Sequence, residues 1–77
     1  MELILNALYS VKKGCIADAW NELDEEMEPL METQVVEVIR VDDDGVAVWH
    51  ENTDGEAELV IDRDEFNTQF EFHSYNR

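Results

Sequence analysis

Apolar residues recur at two different periods along the chain, and the change of period divides it in two. From Met1, the positions Leu3, Ile4, Ala7, Leu8 and Val11 fall three and four apart, one stripe of an α-helix. Glu2 at the start and Lys12 and Lys13 at the end suit the helix dipole, and Gly14 supplies a left-handed stop. The stretch Ala7–Val11 reads equally as a strand turning at Lys12, Lys13 and Gly14. Ile16, Trp20, Leu23, Met27 and Leu30 then repeat at intervals of 4, 3, 4 and 3, the face of a helix about three turns long. Pro29 cannot occupy a helix interior, so the helix is expected to end near Glu28, with Leu30 and Met31 packing beyond it.

From Gln34 the period becomes two. Val35–Val41, Val46–Glu51 and Ala57–Asp62 are separated by segments containing Asp44-Gly45 and Asp54-Gly55. Asp-Gly between apolar runs signals a hairpin with a type I′ turn, whose two central residues take positive φ. Two such signals predict a three-stranded antiparallel meander. Centred on those pairs, the register sets Val41 opposite Val48 and Ile61, with Ile39 opposite His50 and Leu59, on one face. On the other face Arg40 lies opposite Trp49 and Val60, and Val38 opposite Glu51. Asp64 is then a helix N-cap, with Phe66 and Phe70 one turn apart, and Phe70, Phe72 and Tyr75 continue as a short fourth strand. The predicted fold is α+β: N-terminal helical segments packed on a three- to four-stranded antiparallel meander. The alternative is a small SH3-like barrel, with strands within Ala7–Ala19 and the Phe66–Phe70 turn before the last strand.

Composition changes the picture most through charge. The chain has 77 residues, a single domain by size, with 20 acidic residues against five basic and a formal charge of −15. A hydrophobic fraction of 44 % with one proline sets it apart from acid-rich disordered chains. The charge argues against direct contact with nucleic acid or an anionic membrane. No stretch approaches the ~20 apolar residues of a membrane span, no basic region precedes the apolar start, and a single cysteine excludes an internal disulfide. A cytoplasmic protein is expected.

The acid is concentrated. Asp18, Glu22, Asp24, Glu25, Glu26, Glu28 and Glu32 fall in fifteen residues without a base, and Asp42, Asp43, Asp44 and Asp54 sit at the two turns. On the predicted helix, Asp18, Glu22, Glu25 and Glu26 share a face, about 5–6 Å apart along the axis, against a rise of about 3.4 Å per nucleotide along one DNA strand. Such a run is ordinarily a solvated helix face, yet like charges at i,i+4 destabilise a helix and are usually interrupted by lysine.

Other chemistry is thinly marked. Asp42-Asp43-Asp44-Gly45 fails the calcium-loop pattern, because Gly45 at its sixth position puts Arg40 at the first. Cys15, His50 and His73 lack paired zinc-ligand spacing, so no metal, cofactor or catalytic residue is expected. An apolar patch of Val36, Val38, Trp49 and Val60, with Arg40 against Trp49 as a cation–π pair, is a second candidate surface for an adaptor or a homodimer.

Small size, extreme acidity and the lack of catalytic groups resemble the class of DNA-mimic proteins encoded by phages and mobile elements, a resemblance of type carried by no motif. It implies a non-enzymatic inhibitor, acting in an infected host cell, that occupies the nucleic-acid-binding surface of a basic partner protein. The competing expectation is binding through the Trp49 face, with the acid serving solubility.

Overall fold

The period-two pattern extends through nearly the whole chain. The computed structural model describes residues 3–50 and 58–75, and among them are seven strands and one short helix. In chain order these are β1 (Ala7–Val11), β2 (Ala17–Asn21), β3 (Glu26–Leu30), β4 (Val35–Val41), β5 (Gly45–His50), β6 (Glu58–Asp62), α1 (Arg63–Gln69) and β7 (Phe70–Tyr75). All pairings are antiparallel, in one sheet of order β3-β2-β6-β5-β4-β1-β7. Laid flat, seven strands at about 4.8 Å spacing would form a slab about 29 Å wide and one layer thick. The body measures 27 × 27 × 25 Å, so the sheet coils and turns one face inward.

That inner face is the core. Tyr9 and Val11 of β1, Val36 and Val38 of β4, Val46 and Val48 of β5, and Leu59 and Ile61 of β6 alternate into it. Ala7, Ala17 and Ala19 leave room on β1 and β2 for the aromatic group. The Phe66 and Phe70 rings stack with centroids 4.4 Å apart, and Tyr9 meets Phe66 edge-on at 5.3 Å. The helix α1 brings Phe66 into this interior. Its N-cap is Asp62, whose carboxylate accepts from the Asp64 and Glu65 amides, two residues ahead of the expected Asp64.

Both predicted N-terminal helices are strands. Ala7–Val11 takes the extended alternative, and Gly14 does adopt a positive φ of 83°, but to turn the chain between strands rather than to stop a helix. β2 departs further still from the helical expectation. Ala17, Ala19 and Asn21 are buried at every other position, a strand period hidden because alanine is a weak hydrophobic marker. The 4, 3, 4, 3 series instead combines outward strand positions (Trp20 and Met27), a turn residue (Leu23), a flanking residue (Ile16) and one inward residue (Leu30). Pro29 lies in β3, at the sheet edge, where its missing N–H leaves no ladder bond unmade. The architecture shares with the barrel alternative its strands within Ala7–Ala19 and the helical turn before the last strand. It differs in leaving two edges, β3 and β7.

In the meander, β4, β5 and β6 are successive neighbours, but the predicted register is displaced. Val41 faces Val46, and Val48 faces Leu59, each two positions from the expected pairing. A bulge between Val38 and Arg40 takes up Ile39, so Val36 and Val38 point inward. The turn closes with the Asp42 amide donating to the Gly45 carbonyl at 2.8 Å, and Asp43 and Asp44 lie between. Neither they nor Gly45 take positive φ, so the turn is not type I′. The Asp54-Gly55 turn lies outside the described residues.

Candidate partner-binding surface

The predicted acidic helix face does not exist, because Asp18, Glu22, Glu25 and Glu26 lie on two strands and the turn that joins them. Asn21 builds that turn. Its buried carboxamide oxygen accepts from the Leu23 and Asp24 amides, both at 2.9 Å, and its nitrogen donates to Glu28 at 3.1 Å, which half-buries Glu28 on the inner side. Glu25 takes φ of 55° to complete the reversal. Glu22, Asp24, Glu25 and Glu26 are therefore exposed together at one end of the sheet, beside Glu58, whose carbonyl accepts from the Glu22 amide at 3.0 Å.

The other acids gather at the opposite end. Gly45 pairs with Asp62, which places exposed Asp42, Asp43 and Asp44 near the start of α1. Asp18 belongs to this end too, its amide held by the Glu65 carboxylate at 2.8 Å. Four residue steps along β6, about 13 Å of strand, separate the two groups. Asp54 lies outside the described residues.

Arg40 interrupts the negative surface only formally. It forms a bidentate pair with Glu58, at 3.1 and 3.0 Å, and meets Asp42 at 2.8 Å. These hydrogen bonds, that to Glu58 foremost, raise the guanidinium further above its ordinary pKa. Because Arg40 is on β4 and Glu58 on β6, the pair spans β5. The bulge sets Arg40 opposite Ala47 rather than Trp49, so the predicted cation–π pairing is replaced by this carboxylate clamp.

The predicted apolar patch also changes membership. Val36 and Val38 are fully buried inside, whereas Trp49 and Val60 remain on the outer face, where Val60 is the cross-strand partner of Trp20. Trp20 in turn faces Met27. Ile16, Trp20, Leu23, Met27 and Met31 are between 37 and 64 % exposed. Four of the five residues whose spacing suggested a buried helix face are thus outside, Leu30 alone being buried, and the periodicity concealed a surface.

No group of three His, Cys, Asp or Glu residues able to hold a metal ion occurs among the described residues. His73 contacts the Ser74 hydroxyl at 2.9 Å, and Cys15 is a half-buried free thiol against the core. No helix among the described residues is long and apolar enough to cross a membrane. Comparison with protein-family models, curated proteins and solved structures finds no match.

So much exposed like charge predicts a salt response. Added NaCl should raise the melting temperature, with most of the gain reached by about 0.15 M, where the screening length falls to about 8 Å. A melting temperature flat or falling over that range would show that self-repulsion does not limit stability.

Proposed function

We propose that the chain is a binding protein rather than a catalyst, and that it docks its acidic surface on a basic, nucleic-acid-binding surface of another protein, keeping nucleic acid off it. The observation that carries this reading is the uncompensated acid, 20 carboxylates against five bases, much of it exposed among the described residues, with Arg40 already clamped by Asp42 and Glu58. Acid at both ends of the sheet spreads the field over a broad surface, which favours fast, steered and salt-sensitive association.

The test is capture of proteins on the immobilised chain, followed by displacement. Captured basic proteins should be released by duplex DNA and by a salt gradient. Replacing Asp18 by Asn and Glu22, Glu25 and Glu26 by Gln should weaken capture by at least about tenfold, the effect of some 1.4 kcal/mol, with the fold kept or stabilised. Capture indifferent to salt, to DNA and to the four substitutions would overturn the reading.

A further inference from the structure

The outer face of the β2–β3 hairpin combines a strip of exposed apolar side chains with a border of acid. Trp20 and Met27 face each other across the hairpin, and Asp18 faces Pro29 next to them. Ile16 and Met31 flank the strands one residue beyond the Ala17–Leu30 pair, and all four large apolar residues are exposed. Val60 continues the strip from Trp20 onto β6. Soluble domains seldom leave contiguous apolar area of this kind without a use. Methionine, here at two of the positions, moulds to a partner's side chains without a fixed shape of its own. The indole of Trp20 is held by the Glu22 carboxylate, its nitrogen donating at 3.2 Å, as suits a pre-set aromatic anchor.

Acid borders this strip. Asp18 lies within it, Glu22, Glu25 and Glu26 close the turn end, and exposed Glu32 adjoins Met31, its carboxylate accepting from the Gly14 amide. We propose that this face binds a basic amphipathic helix of a partner protein, its apolar side on Trp20, Met27 and Met31 and its Lys or Arg residues along the acidic border. The inference rests on the basic-partner reading above and says which part of the surface makes the contact.

Three observations select this occupant. The strip runs over five residue pairs, four steps or about 13 Å, which matches about two to three turns of helix at 5.4 Å each. A second copy of the chain would bring one acidic border against another, a juxtaposition that disfavours self-association. A strand added alongside β3 would meet Pro29, which has no N–H to pair, and the exposed Glu26, so the contact is with the face and not the edge.

The test uses the whole chain with Trp49→Phe, leaving Trp20 as the sole indole. The probes are a Leu/Lys amphipathic peptide of about four helical turns, its scrambled isomer, and a Lys oligomer of equal charge. At about 0.15 M NaCl the amphipathic peptide should shift Trp20 emission to the blue and bind at least about tenfold tighter than the other two. Met27→Gln with Met31→Gln, checked for folding by circular dichroism, should erase that preference while leaving charge-driven binding. Equal binding of all three peptides without a shift would overturn the hairpin site and leave the acidic docking intact. Failure of every cationic peptide to bind would remove both, and light scattering showing a dimer that excludes the peptide would assign the strip to a second copy.

Discussion

Replacing Phe66 by Ala should lower the free energy of unfolding by about 3–5 kcal/mol, the largest effect of any single truncation considered. The ring is fully buried, lies nearly parallel to Phe70 at an 11° interplanar angle, and meets Tyr9 edge-on. Aromatic pairs of these geometries add to what burial alone contributes. Seven residues are also too few to hold a helix by local propensity, so α1 depends on this side chain. If α1 loosens, the Glu65 carboxylate leaves the Asp18 amide, and the bond between α1 and β2 goes with it. A chain this size has a total stability of about 4–12 kcal/mol, so the variant should be largely unfolded at moderate urea. Phe66→Leu, which keeps most of the volume, should lose less than half as much. Urea unfolding followed by circular dichroism decides the matter, and a loss below about 1 kcal/mol for the alanine variant would mark α1 as peripheral.

What the sequence made legible follows the strength of its side-chain marks. Val35–Val41 and the runs after it declare strands because β-branched residues occupy both faces, and β4, β5 and β6 are adjacent as that pattern requires. The segment 16–30 hides its strands because the inward positions of β2 are Ala17, Ala19 and Asn21, too small or too polar to mark a core. Its large apolar residues other than Leu30 lie outside and fell by chance at helical intervals. Which residues of β4 face inward was illegible for a different reason. One bulged residue, Ile39, reverses which valines of β4 face inward, and nothing in the composition of β4 announces it.

The candidate site changes for the same physical reason. On a helix, the acidic residues of 18–32 and the apolar stripe would occupy different faces, the acid outside and Trp20 and Met27 buried. On a two-stranded hairpin they share one exposed surface, because the inward side is filled by alanines, Leu30 and Asn21. The charge density legible in the sequence survives, but it divides between two ends of the sheet. Its apolar companion came into view only with the fold. An alternation of Ala with larger outward residues was the signal present in Ala17–Asn21, and it is weak beside a five-member helical stripe.

Gly45 yields the second large effect, and its sign separates two explanations of the same residue. In a type I′ turn the glycine supplies positive φ, and Asn would replace it with little loss. Here φ is not positive, and the constraint is space: a Cβ at this position would stand 2.9 Å from the Val60 Cγ1 and 3.1 Å from the Ile61 carbonyl oxygen. Neither neighbour yields readily, since a β-branched side chain has few rotamers and the carbonyl belongs to a strand paired with β5. Gly45→Ala should therefore destabilise by about 1–3 kcal/mol from overpacking, reduced by up to about 1 kcal/mol because alanine narrows the unfolded ensemble. Gly45→Asn should be at least as damaging as Ala, which a positive-φ requirement would not produce. Adding Val60→Ala removes the nearer contact, so the Gly45→Ala/Val60→Ala pair should be more stable than the sum of its single effects by about 1 kcal/mol. Thermal and urea unfolding of the four proteins in that cycle measure the coupling. Strict additivity, or an Asn variant as stable as the parent, would return Gly45 to the role of a turn residue.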